Sequence, residues 1–203
     1  MIRKLLILTT ILASAFTASA EFRWGPTAGA NFGTFHWKQN LLDTKGRTGF
    51  QAGVLGELMI PGIGFGIDLG LRYTMNGAHE NFGDFKIWNS DGITDQNVWM
   101  HTIQIPLNLK FKWTRMNGFE QTLAPFVFGG PVFNFNVATN SQPALEHPAG
   151  YVAMQCGAGV ELFEHWQISG GYSWGISYQV RTIKLDNFSA QPRGWFVNAA
   201  YLF

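Results

Sequence analysis

Between residues 64 and 76 the chain reads GFGIDLGLRYTMN. Phe65, Ile67, Leu69, Leu71, Tyr73 and Met75 share one parity, and Gly64, Gly66, Asp68, Gly70, Arg72, Thr74 and Asn76 share the other. A repeat of two is that of a β-strand with one apolar face. The same alternation runs through 24–36, 48–60, 99–113, 150–163, 166–180 and 194–203. In 99–113, Ile103, Ile105, Leu107, Leu109, Phe111 and Trp113 oppose Thr102, Gln104, Asn108, Lys110 and Lys112. The segment 123–137 carries aromatics on both parities, and its register stays open. The pattern predicts eight strands, although ten can also be drawn.

The polar parity is mostly Gly, Ser, Thr, Asn and Gln, whereas a solvated face usually carries more Lys and Glu. Small residues suit the inside of an eight-stranded barrel, whose interior is only wide enough for side chains. The bulky parity then faces hydrocarbon. Connections near 61–64 and 163–166 are tight and the 114–122 link is moderate, while 37–47, 77–98, 138–149 and 181–193 are long and polar. Alternating long and short links are those of an up-and-down membrane barrel with short periplasmic turns and longer outer loops. The predicted fold is an all-β, eight-stranded, antiparallel up-and-down transmembrane β-barrel over 21–203.

Composition agrees. Charged residues make up 13% of the 203 residues, against ~25% in an ordinary soluble chain. The net charge of +1 argues against nucleic acid as a partner. A soluble β-sandwich has a similar composition, so the facing argument decides. Residues 1–20, MIRKLLILTTILASAFTASA, form a cleavable signal peptide: Arg3 and Lys4 precede an apolar run, and Ala18-Ser19-Ala20 is the cleavage site. The implied location is the bacterial outer membrane of a Gram-negative cell. Aromatics at the strand ends form two belts, where amphipathic rings favour the interface. Trp24, Trp113, Trp166, Tyr201 and Phe203 lie on the periplasmic side, and Trp37, Tyr73, Trp99, Tyr178 and Trp195 on the outer side.

Candidate chemistry is sparse. The inward parity carries Glu57, Asp68, Arg72, Lys110, Lys112 and Glu161, three acids and three bases. Lone charges in a narrow lumen are costly, so these are expected to pair into a network that plugs the barrel; a selective ion path is the alternative. His36, His79, His101, His147 and His165 are scattered and match no metal or hydrolase motif, so no catalytic residue, metal ligand or cofactor is assigned. Cys156 sits mid-strand as a small apolar residue. A lipid-modifying acyltransferase or deacylase would place a His with a Ser or acid at the outer rim, where His36, His79, His101, Ser90 and Asp91 fall. The 77–98 loop, with Phe82, Phe85 and Trp88, is apolar enough to meet a protein partner. The other partner is outer-membrane lipid.

The segments GPTAGANFGTF, IQIPLNLKFKW, APFVFGGPVFNFN and GAGVELF resemble the PorT-like outer-membrane β-barrel family common in Bacteroidota. The resemblance spans 21–203 and finds a place for Pro106, Pro125 and Pro131, which otherwise sit oddly in a sheet. It implies an integral barrel of the cell envelope, non-enzymatic, structural or partner-binding, and tied through one member to protein secretion. Separately, the terminal strand ending on Phe203 resembles the signal by which the barrel-insertion machinery recognises outer-membrane clients.

Overall fold

In a computed structural model, each alternating segment pairs with its sequence neighbour and the last strand returns to the first. The structure describes residues 21–37, 43–60, 62–81, 95–114, 118–139, 145–146, 149–177, 180–182 and 189–203. The strands are β1 (Glu21–Trp37), β2 (Asp43–Met59), β3 (Phe65–Asn81), β4 (Asp95–Lys112), β5 (Leu123–Thr139), β6 (Leu145–Glu146), β7 (Gly150–Leu162), β8 (Trp166–Gly175), β9 (Val180–Thr182) and β10 (Ser189–Tyr201). All pairings are antiparallel, and β1 closes on β10 from Thr27↔Ala200 to Trp37↔Ala190. Eight long strands make the barrel wall. The two short ones, β6 and β9, pair with each other and extend the sheet beside β10. This resolves the choice between eight and ten strands.

The wall is inside out relative to a soluble protein. Leu69 is 55% exposed and Leu109 69%, while Glu57 is 0% and Lys110 1% exposed. Buried residues are dominated by Thr, Asn, Gln and charged side chains, and the outward parity carries Phe, Leu, Val and Trp. A soluble chain rarely leaves so continuous an apolar surface in water. Cys156 also faces outward and is exposed.

The β5 register, open in the sequence, has a packing cause. Ala124, Phe126, Val132 and Asn134 are buried inward, and Phe133 and Phe135 point out. Inward phenylalanines need space on neighbouring strands, and glycine supplies it. A Cβ added to Gly157 would stand 2.6 Å from Phe128 Cζ, and one on Gly171 would stand 2.7 Å from Phe196 Cζ. The rings of Phe126, Phe128 and Phe196 follow one another with centroids 6.2 Å apart. Pro106 and Pro131 sit where a ladder lapses, whereas Pro125 stays paired with Val160. Between Leu69↔Leu107 and Arg72↔Gln104 no β3–β4 partners form, and Pro106 lies in that gap. The β4–β5 ladder lapses likewise between Pro106↔Val132 and Leu109↔Gly129, beside Pro131. Proline has no N–H to donate there.

The long connections are shorter than the alternation implied. The β3–β4 ladder runs out to Asn81↔Asp95, so most of 77–81 and 95–98 is strand. Likewise β1 reaches Trp37, β2 begins at Asp43, β5 reaches Thr139 and β10 begins at Ser189. Alternation fades there in the sequence, while backbone pairing continues. The strand read over 166–180 ends instead at Gly175. Ile176 N–H and Ser177 N–H both donate to Val152 O, at 2.9 and 3.1 Å, which bends the chain out of the β7–β8 ladder.

At the opposite end the turns are tight. Gly62 and Gly64 have φ of 80° and 81°. The other hairpin joins Leu162 to Trp166 through three residues and places Phe163 and Glu164 at φ 52° and 62°, both left-handed without glycine. His165 N–H closes it onto Leu162 O at 3.2 Å. The barrel thus has a turn end, which also holds Glu21 and Phe203, and a loop end.

Candidate functional site: two halves of the lumen

The turn-end half of the lumen is filled by charge that is matched within hydrogen-bonding distance. Register sets this up. Arg23 lies opposite Glu57, and Glu57 lies opposite Asp68, so two like charges face each other across the β2–β3 ladder. Lys110 sits between them, with Nζ 2.5 Å from Glu57 Oε2 and 3.2 Å from Asp68 Oδ2. Lys112 Nζ lies 3.0 Å from Glu57 Oε1 and 2.7 Å from Glu161 Oε2. Arg23 Nη2 bonds Glu57 and lies 2.7 Å from Glu161 Oε2. Gln167 fills the remaining sites. It donates to Glu57 Oε2 at 2.8 Å and Glu161 Oε2 at 2.6 Å, and accepts from Lys110 at 2.8 Å. Lys110 also stands 4.2 Å from the Phe126 ring centroid. Met59 and Leu202 are buried on the inner face nearer the turns, beneath the charges.

Three cations therefore meet three carboxylates, but they are not the six named from sequence. Arg23 takes the place given to Arg72. Arg23 precedes the first alternating segment by one residue, yet keeps the inward parity of Gly25 and Thr27. Extending the period one step toward the N-terminus would have found it. Arg72 points inward as expected but stands apart from the carboxylates. Among the described residues it makes no ion pair.

Arg72 belongs to the middle of the lumen. Its Nη2 donates to Gln155 Oε1 at 3.4 Å, and Gln155 Nε2 donates to Asn108 Oδ1 at 2.9 Å. With the Asn198 amide turned to face its donors, Asn198 accepts from Arg72 Nη1 at 3.0 Å. The guanidinium lies 6.0 Å from the Phe196 ring centroid. A cavity of about 40 Å³ separates this layer from the turn-end charges, lined by Asp68, Arg72, Phe126, Phe128 and Gln167 among others.

Beyond Arg72 toward the loops lies a larger cavity of about 70 Å³. Asn31, Arg72, Thr74, Asn134 and Tyr151 line its buried part, and Thr34, Asn76, Gln104, Ser173 and Arg193 its rim. Thr34 is exposed and the other rim residues are half-buried, so the cavity meets solvent on that side.

The aromatic residues fall as follows. At the turn end Trp24 meets Phe203 at 5.8 Å between centroids, Trp166 meets Tyr201 at 5.0 Å, and Phe111 meets Trp113 at 4.8 Å. Toward the loop end Trp195 meets Tyr172 at 5.0 Å, and Tyr73 meets Phe50 at 5.9 Å. Trp37 and Trp99 lie in β1 and β4, but their side chains, like all of Tyr178, Phe82, Phe85 and Trp88, fall outside the described residues. The same holds for Ser90, Asp91 and His147. His101 Nδ1 shares a hydrogen bond with the Tyr73 hydroxyl on the outer face, and His165 Nδ1 donates to Phe163 O at 2.7 Å. Among the described residues no group of His, Cys, Asp and Glu is placed to hold a metal ion.

Several solved outer-membrane structures are similar. The outer membrane protein OprG from Pseudomonas aeruginosa has 11% identity and a TM-score of 0.52, covering 91% of this chain and 95% of its own. The attachment invasion locus protein Ail of Yersinia pestis has 12% identity and a TM-score of 0.47, with coverages of 90% and 99%. The outer membrane enzyme PagL has 9% identity and a TM-score of 0.45, with coverages of 85% and 97%. No curated protein matches in sequence. The family pattern described as outer membrane protein beta-barrel domain matches residues 13–178. The chain therefore belongs to the outer membrane protein beta-barrel domain family, as its closed eight-stranded wall with apolar residues outside had indicated.

Proposed function

We propose that this barrel is a non-enzymatic structural or partner-binding component of the cell envelope, with a lumen sealed at the turn end. In this reading residues 1–20 direct export and are removed, the turn end faces the periplasm, and the loop end is presented outward. Partners engage the loop end, and lipid covers the wall. The observation that carries the reading is the turn-end charge cluster. Six ion pairs cross an interior of eight strands, leaving solvated ions little room to pass. The association of one PorT-like member with protein secretion rests on resemblance alone and adds no residue to test.

Planar-bilayer recording of the refolded barrel is the test. A sealed lumen gives no steady open-state current. A large, stable conductance would instead make the barrel a channel. Lipid analysis of a deletion strain separates a scaffold from a lipid-modifying enzyme, since a scaffold leaves acyl composition unchanged.

A further inference from the structure

The loop-end cavity has an unbalanced charge. Among the described residues two arginines, Arg72 and Arg193, line it, and no acidic residue does. Arg72 is more than nine-tenths buried. Among the described residues its Nε–H has no partner, and its Nη groups meet only the neutral oxygens of Gln155 and Asn198. A guanidinium stays ionised in proteins, so it cannot escape burial by losing its proton. The surrounding wall is unsatisfied as well. Asn31 Nδ2 and Oδ1, Thr74 Oγ1 and Asn134 Oδ1 are all buried without a hydrogen-bond partner. Native interiors leave few such groups, and each calls for an explanation.

We propose that this cavity binds a small oxyanion, a carboxylate or phosphate group, seated against Arg72. Arg72 Nε–H, Asn31 Nδ2–H and the Thr74 hydroxyl are the free donors, and the planar guanidinium edge matches a carboxylate or phosphate face. Asn31 Oδ1 and Asn134 Oδ1 remain as free acceptors, which favours a ligand with a hydroxyl or ammonium beside its anionic group. Water alone can satisfy the dipoles but brings no charge. The volume of about 70 Å³ restricts the guest to a small solute. The closed wall separates the site from lipid headgroups, and the rim admits solutes from the loop side. Arg193 at that rim draws anions inward. The turn-end cluster does not compete, since its three cations are matched by three carboxylates.

The test is titration of the refolded barrel in non-ionic detergent, following the Arg72 Nε–H resonance by NMR. Inorganic phosphate and glycerate are the probes, and chloride at equal ionic strength is the control. Phosphatidylglycerol micelles form a separate arm for the headgroup source. The expected result is a saturable shift with phosphate or glycerate, half-complete at about millimolar concentration or below, with none from chloride or micelles. Arg72→Lys, which keeps the charge and loses the fork, weakens binding roughly tenfold, followed on the Asn31 side-chain amide resonances because the guanidinium is gone. Thr74→Val, which leaves every charge in place, also weakens it, read on the Arg72 resonance. The absence of a saturable shift in the unaltered barrel, an equal response to chloride, or a shift seen only with lipid micelles overturns the proposal. So does unchanged affinity in a folded Thr74→Val barrel.

Discussion

At the turn end, Glu57 is wholly buried and touches Arg23, Lys110 and Lys112. Toward the loops, Arg72 is almost as buried and, among the described residues, bonds only amide oxygens. Both project from the inner face of the same sheet, on adjacent strands. The Phe126, Phe128 and Phe196 rings, seated over glycines, lie between the two regions. The difference is therefore one of partners rather than depth. A buried charge that the protein itself matches fixes register and closes space. A buried charge that it leaves unmatched keeps a place for something that arrives from outside.

The sealed half is most vulnerable at Glu57. Glu57→Gln leaves Lys110 short of its nearest carboxylate and removes a shared partner of Arg23 and Lys112. The expected loss is about 3–5 kcal/mol, read by urea unfolding of the barrel in lipid vesicles. A loss confined to a few tenths would mean that the cluster is solvated. Next in size is Leu69→Arg on the outer wall, which costs ~2–4 kcal/mol if Leu69 meets the bilayer midplane. Gly70→Ser, its inward neighbour, is a poor control, since a Cβ there meets Pro106 Cγ at 2.9 Å. Ser173→Ala at the cavity rim serves better and should stay within about 0.5 kcal/mol.

The boundary between the halves is tested by Gly157→Ala. The added methyl meets the Gly170 carbonyl oxygen at 2.4 Å, Phe128 Cζ at 2.6 Å and the Gly171 Cα at 2.9 Å. Overpacking of that kind costs about 1–3 kcal/mol, visible as a lower urea midpoint. Smallest, and of opposite sign, is Glu164→Gly. It relieves a left-handed residue that has a Cβ, for a gain of about 1 kcal/mol, and keeps the carbonyl that accepts from Arg23.

Much of this was legible from alternation alone. The facing of Asp68, Lys110, Glu161 and Gln167 follows from parity within a strand, because a β-strand turns successive side chains to opposite sides. Parity says nothing about height along the barrel. Parity alone therefore groups Arg72 with carboxylates that lie in another layer, and only the cross-strand register separates them. The β5 facing was hidden for a related reason. An inward Phe128 looks misplaced until Gly157, on the strand beside it, is seen to make room. The unpaired atoms of Asn31, Thr74 and Asn134 come from three strands, and no short stretch of sequence brings them together.

The most direct measurement of the divided lumen is thiol accessibility along one strand. In a Cys156→Ser background, Ser173→Cys places a thiol at the rim of the loop-end cavity, and Gln167→Cys places one within the charge cluster. A small water-soluble thiol reagent should modify position 173 quickly and position 167 slowly in the folded barrel. Equal, rapid modification at both positions would contradict a lumen open at one end and sealed at the other.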